Sequence, residues 1–197
     1  MSHSHSLRAE DDINSPTVSP TLDRLTIALH WLVGWSIMGL LALGIYMEEN
    51  DAYHLYGLHK SLGALIFIVI VIRAWRRVRQ GWPKPVNEYT RMEQRLSKIT
   101  HYVLLIGSVL IPLSGLVMTI AGGRGLEVFG LEVIGANIDP ANPDKTLPLI
   151  APLAGIAHQM HGMVSNLVIV ALVLHIIGAL KHHVIDKDNT LKRMLGR

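Results

Sequence analysis

The sequence of 197 residues contains no cysteine. This absence excludes disulfide bonds, iron–sulfur clusters bound by this chain, and the Cys-x-x-Cys-His motif that attaches a c-type haem covalently. Charge is also scarce, because only 17% of the residues are charged while 50% are hydrophobic. Three long segments, residues 25–47, 99–123 and 146–180, contain no charged residue at all. Such a composition argues against an ordinary soluble domain.

The three uncharged segments predict membrane-spanning helices, because a helix needs about 20 predominantly apolar residues to cross a bilayer. Residues 52–72 form a weaker fourth candidate, in which Lys60 stands near one end and can snorkel to the interface. The segments mostly lack the polar face of a soluble bundle. We therefore predict an all-α fold, an integral membrane four-helix bundle over residues 22–197, preceded by a disordered cytoplasmic tail, residues 1–21. The first apolar run is expected to be a retained span and not a cleaved signal.

The basic residues predict the orientation of this bundle. Of the 18 Lys and Arg residues, only Lys60, Arg124 and Lys145 would lie on one side of four alternating spans. The positive-inside rule therefore places the other side, with both termini, in the cytoplasm. The basic residues flank the spans and form no separate basic domain, which disfavours a nucleic-acid partner. Membrane lipid is the expected partner of the apolar surface.

Proline and glycine mark the connections between the spans. The sequence "WPKP" at residues 82–85 is expected to end the second helix before an amphipathic stretch leads into the third. Pro112 lies inside the third span, where neighbouring helices can satisfy the freed carbonyl. The outer loop, roughly residues 121–153, is rich in Gly, Pro and Asn and is expected to cap the bundle.

Two of the 11 histidines bracket the apolar segment "HGMVSNLVIVALVLH". They are His161 and His175, which are 14 residues apart. At about 100° and 1.5 Å per residue they share one helix face and lie about 21 Å apart along the axis. One metal ion cannot bridge that gap, whereas two stacked cofactors can. Ionisable residues inside a span are costly and usually functional, which favours a cofactor role.

Each of these histidines has a counterpart at matching depth. His30 lies six residues after Arg24, as His175 lies six residues before Lys181, so both are near the cytoplasmic side. His59 and His161 both open their spans from the outer side. The pairs His30 with His175 and His59 with His161 are predicted to bind two haem irons axially, because neutral imidazole suits iron. A binuclear zinc site is disfavoured, since the spans carry no carboxylates nearby.

A small residue follows each proposed ligand four positions later, on the same helix face. These residues are Gly34, Gly63, Ser165 and Ala179. A bulky side chain there would collide with a flat macrocycle lying against the helix. Small residues also serve ordinary packing between membrane helices, so this observation supports the pairing without establishing it.

The remaining histidines have less specific roles. His158 is placed about 100° away from the face of His175, so we favour His161 as the ligand. His101 is expected at the cytoplasmic interface, with a haem propionate as an alternative contact. His182 and His183 follow the last span, where interface anchoring is expected and a quinone or propionate contact is the alternative.

Four segments of the chain resemble the bacterial di-haem cytochrome b family of the cytochrome b-561 type. The resemblance covers residues 22–194 and lies in "LTIALHWLVG" (25–34), "GLHKSLG" (57–63), "HQMHG" (158–162) and "LHIIGALKHHVIDKDNTLKRM" (174–194). The last segment is the most specific. The family resemblance implies a multi-pass protein of the bacterial inner membrane with two b-type haems that exchange electrons with ubiquinone.

The resemblance also assigns roles to individual residues. The family's axial ligands correspond to His30, His59, His161 and His175, the same set that spacing indicates. His182 aligns with a position near the quinone pocket. Some members resemble superoxide oxidases, and related proteins are the cytochrome subunits of hydrogenases and formate dehydrogenases.

Transmembrane electron transfer from an outer donor to ubiquinone is the function we predict, with superoxide as one donor. Lys60 and Arg124 are the candidate residues for a local positive patch at the outer haem. The predicted outer side has an excess of acids, which opposes steering of an anion. These acids are Glu48, Glu49, Asp51, Glu127, Glu132, Asp139 and Asp144.

Two alternative functions remain open at this point. The acidic outer loops suit a basic partner, so the chain is alternatively a haem b subunit that docks a dehydrogenase or a soluble cytochrome. A haem sensor or carrier without turnover is the other alternative.

Overall fold

The computed structural model describes residues 22–81 and 89–196. The predicted tail, residues 1–21, and the predicted helix break at residues 82–85 lie outside the described residues. Among these residues, four helices are long and apolar enough to span a membrane, which confirms the four predicted spans. They are α1 (Arg24–Glu49), α2 (Tyr56–Gln80), α3 (Arg91–Ala121) and α4 (Ala151–Val184). We call the end at which α1 begins and α4 finishes the inner end, following the predicted orientation.

The second helix extends beyond the apolar segment, residues 52–72, that the sequence predicts as its membrane span. A 3₁₀ turn, Tyr53–Leu55, leads into α2, and α2 continues past Ile72 to Gln80. The added turns carry arginines whose aliphatic stems can lie along apolar surface while the charged ends reach the interface. Gly81 finishes the helix with a φ of 69°, a conformation that glycine adopts without steric cost.

Side-chain caps fix where the two helices that start at the inner end begin. The Asp23 carboxylate accepts a hydrogen bond from the Thr26 amide at 2.9 Å and so caps α1. Thr90 and Glu93 form a reciprocal capping box at the start of α3. Arg76 on α2 pairs with Asp23 at 3.2 Å and ties the inner ends of α1 and α2 together.

Helices α3 and α4 form the most extensive helix–helix interface. Gly107 makes the approach possible, since a Cβ atom at this position would lie 2.3 Å from Cγ2 of Val168. The central core draws on all four helices and consists of Val33, Ile37, Ile66, Ile70, Ile111, Val164 and Val168. Many other large apolar side chains are exposed, as expected for a surface that faces lipid.

The outer loop contains strands that the all-α prediction does not include. Between α3 and α4 the chain forms two antiparallel hairpins, β1 (Leu126–Val128) with β2 (Leu131–Ile134) and β3 (Ile138–Asp139) with β4 (Asn142–Thr146). Phe129 and Gly130, at φ of 49° and 86°, supply the positive values that a tight two-residue turn requires. The protein is nevertheless mostly helical, as predicted.

The first hairpin rests on the outer end of α2. The amide of Phe129 donates to Oγ of the buried Ser61 at 3.0 Å, and Ser61 donates to the carbonyl of Gly57 at 2.8 Å. Because Ser61 lies two residues after His59, the hairpin lies over the outer end of the bundle.

The segment after α4 folds over the inner end. It includes a short helix, α5 (Thr190–Met194), and the indole nitrogen of Trp31 donates to the carbonyl of Met194 at 2.8 Å. The hydroxyl of Tyr89 donates to Asp188. We call residues 185–194 the inner cap.

Candidate functional site: two layers of paired histidines

The structure brings together both predicted histidine pairs. The rings of His30 on α1 and His175 on α4 have centroids 6.2 Å apart. The rings of His59 on α2 and His161 on α4 have centroids 6.3 Å apart. Helix α4 therefore contributes one histidine to an inner layer and one to an outer layer.

The spacing of the rings within each layer fits a metal ion held between two imidazoles. With metal–nitrogen bonds of about 2.0 Å and each nitrogen about 1.1 Å from its ring centroid, opposed rings have centroids about 6.2 Å apart. The observed 6.2 Å and 6.3 Å match this value. The donor set of two imidazoles per layer suits iron.

The backbone of α3 sets the protonation of His161 in the outer layer. Its Nδ1 donates to the carbonyl oxygen of Ile111 at 2.8 Å, and Oγ of Ser114 lies 3.2 Å from the same nitrogen. Because a carbonyl can only accept, Nδ1 carries the proton and Nε2 keeps a free lone pair. A histidine that ligates a metal commonly has this arrangement.

Two glycines of neighbouring helices shape the space around the outer rings. A Cβ atom at Gly115 would lie 3.1 Å from Cε1 of His161, so a larger residue there would press on this ring. A Cβ at Gly44 would lie 3.7 Å from Cε1 of His59. His59 Nδ1 is buried and has no hydrogen-bond partner among the described residues. Burying a nitrogen without a hydrogen-bond partner costs free energy, and an ion bound to the nitrogen would lower that cost.

The inner layer is surrounded by aromatic and charged side chains. The ring of His101 on α3 lies edge-on to His175 at 5.1 Å, and that of Trp31 lies 5.4 Å from His30. The His101–His175 distance is shorter than a metal ion between opposed rings requires, so this contact is ring packing. His101 Nδ1 donates to the carbonyl of Ser97 at 2.6 Å. His101 thus packs directly against the inner histidine pair, a contact that the sequence prediction did not include.

Arg73 is a site residue that the sequence prediction did not identify. Its Nη2 lies 3.4 Å from Nδ1 of His30. In the sequence Arg73 was only a positive charge that indicates orientation. Its spacing from His59, the same 14 residues that separate His161 from His175, is the signal that places it level with the inner layer.

The predicted small residues leave room beside the ligands. A Cβ atom added at Gly34 or Gly63 would meet no neighbouring atom within 4 Å. This space beside His30 and His59 is where a flat ring is expected. Ser165 and Ala179 are partly buried on α4.

The two outer cations are differently exposed. Lys60 is partly buried and Arg124 is exposed. Neither forms a salt bridge within residues 22–81 and 89–196. Their joint role in a positive patch stays a prediction.

His182 lies in a carboxylate cluster at the inner end. Its Nδ1 is 2.8 Å from Asp186 and 3.3 Å from Asp188, and its ring packs against Tyr89 with centroids 4.6 Å apart. Lys181 bridges Asp186 at 2.9 Å, and it also pairs with the acid of the α3 capping box. Burial and the hydrogen bond to Asp188 raise the pKa of Tyr89. The cluster is thus compact and internally paired.

His158 and His183 are exposed.

Comparisons with known proteins agree with this architecture. A family model described as "Prokaryotic cytochrome b561" matches residues 21–197. The chain is 34% identical to "Cytochrome b561 homolog 2" of Escherichia coli (strain K12) over 88% of this chain and 90% of the relative. It is 27% identical to "Probable superoxide oxidase CybB" of Yersinia pestis over 87% of this chain and 93% of the relative. "Cytochrome b561 homolog 1" of the same E. coli strain is 23% identical over 87% and 94%.

Proposed function

The chain belongs to the prokaryotic cytochrome b561 family, and from this premise we propose that two b-type haems, one in each histidine layer, carry electrons between an outer donor and ubiquinone. Family membership makes the chain a multi-pass electron-transfer protein of the bacterial inner membrane and implies b-type haem. The number of haems, their ligands, the quinone and the outer donor are the proposed parts.

The observation that carries the proposal is the equal spacing of the two histidine pairs. Rings at 6.2 Å and 6.3 Å, one pair at each end of the bundle, offer two sets of imidazoles that would each hold a haem iron. Haem supplies reversible one-electron chemistry when bound. Two imidazoles would leave the iron no open site, which favours outer-sphere electron transfer over oxygen activation.

The chain's own residues position the ligands. His161 is oriented by the Ile111 carbonyl, and Gly115 leaves its ring the space it needs. Because α4 runs without a break between His161 and His175, the two layers lie about 21 Å apart along its axis. That is most of the roughly 30 Å hydrocarbon thickness, so two layers are enough to cross it.

We propose that ubiquinone binds at the inner end, beside His182. Reduction of a quinone to a quinol takes two electrons and two protons, so a site near the aqueous face with exchangeable protons is suitable. His182 donates through Nδ1 to the Asp186 carboxylate, which leaves the lone pair of Nε2 to accept a hydrogen bond from a quinol hydroxyl. The neighbouring carboxylates and Tyr89 connect this position to the inner surface.

The outer donor has two candidates. Superoxide would approach the outer layer near Lys60 and Arg124, and one relative at 27% identity has superoxide oxidase in its name. The acidic residues of the outer loop, however, favour a basic redox protein as donor, as in a haem b subunit that docks a dehydrogenase or a soluble cytochrome. Co-purification of such a protein in mild detergent would support the second candidate.

Haem quantification with single histidine variants tests the proposal. We expect about two low-spin haems per wild-type chain, because each imidazole pair fills the two axial positions of one iron. His30→Ala or His175→Ala should each leave about one haem, and His59→Ala or His161→Ala should each remove the other. His158→Ala is the matched control and should keep both. One haem or none in the wild type, or losses that group differently, would refute it.

Salt dependence tests the superoxide version. Since the outer side carries more acids than bases, we expect the stopped-flow rate of haem reduction by superoxide to vary little with added salt. A steep fall in rate with salt would mean a positive funnel at the outer layer and contradict this expectation. Haems that neither superoxide nor ubiquinol reduces would favour the sensor or carrier alternative.

A further inference from the structure

Arg73 occupies in α2 the position that a second histidine occupies in α4. It follows His59 by 14 residues, so it lies on the same helix face, about 21 Å further along the axis. The structure places its Nη2 3.4 Å from Nδ1 of His30. This distance is long for a hydrogen bond, so the guanidinium acts on the inner layer mainly through its charge.

No carboxylate among the described residues pairs with the positive charge of Arg73. No salt bridge to Arg73 is present in residues 22–81 and 89–196, where Arg76 is the arginine that pairs with Asp23. Arg73 is partly buried, and Arg77 lines the same pocket beside His30. A charge at such a site is screened less than one in water and acts more strongly on its neighbours.

In the described part of the chain, no hydrogen bond or salt bridge joins an arginine or a lysine to a histidine of the outer layer. The groups that contact Nδ1 of His161 are the carbonyl of Ile111 and the hydroxyl of Ser114, both uncharged. Donation from His161 to a carbonyl makes its imidazole a stronger electron donor to a metal. Lys60 follows His59 directly and is therefore directed about 100° around the helix from it.

We propose that Arg73 raises the reduction potential of the inner haem above that of the outer haem and so directs the flow of electrons. The inference rests on the proposed function. Reduction lowers the positive charge of a bis-imidazole haem, so a nearby cation favours the reduced state. One electron then passes from the reduced outer site to the oxidised inner site, with no proton or bond change. The asymmetry directs electrons inward, toward the quinone side.

Spectral redox titration of the purified holoprotein tests this inference. The wild type should titrate in two one-electron steps. At a given applied potential, Arg73→Gln should lower the ratio of reduced to oxidised haem in the higher step at least tenfold. This change corresponds to about 59 mV for one electron. The lower step should stay in place. Arg73→Lys, which keeps the charge, should restore most of the difference.

Arg79→Gln is the matched control, because Arg79 lies on the same helix but stacks on the exposed Trp75 at 4.7 Å. It should leave both steps unchanged. The step that remains in His161→Ala should be the higher one, which assigns it to the inner haem.

Three outcomes would overturn the inference: an unchanged higher step in Arg73→Gln, a shift of the lower step alone, or an equal shift in Arg79→Gln. Loss of the inner haem in Arg73→Gln would also overturn it, because Arg73 would then be required for haem binding and not for the potential. Failure of the proposed function is recognised separately, by a wild-type haem content other than two.

Discussion

The outer and inner histidine layers have nearly the same ring spacing but different surroundings. In the outer pair, a backbone carbonyl orients His161, and glycines on neighbouring helices leave room for the two rings. The inner pair is surrounded by His101, Trp31 and Arg73. The protein thus repeats one ligand geometry in two electrostatic environments. The ring spacing suits the same proposed ligand in both layers, whereas the neighbouring side chains differ.

The largest effect on this comparison is expected from Gly115→Val, which should disrupt the outer layer alone. The branched side chain would enter the space of the His161 ring, whose Cε1 is 3.1 Å from the position of a Cβ. We expect the haem content to fall from about two to about one per chain, with the inner spectrum intact. Gly39→Val is the control, since a Cβ there meets nothing within 4 Å. Loss of both haems, or of neither, would contradict the prediction.

A smaller effect, shared by both layers, is expected from Gly107→Val. This residue lies at the α3–α4 interface between the layers, where added atoms would overlap Val168. Overpacking of this kind costs about 1–3 kcal/mol. The unfolding temperature in detergent should fall while both potentials stay in place. The added substitution Val168→Ala should recover part of the lost unfolding temperature. An unchanged unfolding temperature in Gly107→Val would contradict the prediction, because α3 and α4 could then move apart without cost.

The smallest effect is expected at the inner cap, from Asp188→Asn. Burial alone would raise the pKa of Asp188, but hydrogen bonds from Tyr89 and Thr190 outweigh it and hold the pKa below 3.8. A lowered pKa in the folded state means that the ionised carboxylate stabilises the cap above about pH 4 and that this contribution is lost as the pH falls through the folded value.

Proteolysis of the inner cap at several pH values measures this contribution. In the wild type, protection should decrease as the solution becomes acidic, below about pH 4. Asp188→Asn should be less protected at neutral pH and should lose most of this acid dependence. The outer layer should be unaffected, and altered haem content in this variant would contradict the separation of the two ends.

The sequence predicts the four spans and the pairing of the histidines well, because lipid restricts both. Polar residues inside a span must face the bundle interior, so depth and helical phase are enough to pair His30 with His175 and His59 with His161. The structure places these pairs together, and their ligation of haem stays a prediction.

Other features depend on packing that the sequence pattern does not contain. His101 contacts His175 because of how α3 is rotated against α4, and Gly107 sets that approach only once the helices meet. The hairpins were missed because each strand is short and the turn at Phe129 and Gly130 lies within a segment without clear alternation. Arg73 was missed because charge near a span end is ordinarily explained by orientation.

The unbroken helix α4 fixes the distance between the two histidine layers. Both of its histidines lie on one continuous helix, so the separation between the layers is set by helical rise and stays the same when loops or caps move. Because tunnelling slows exponentially with distance, a fixed gap makes the transfer rate insensitive to bending elsewhere in the protein. Selection can then alter the two ends of the bundle, to fit different donors and acceptors, without changing the distance between the two layers.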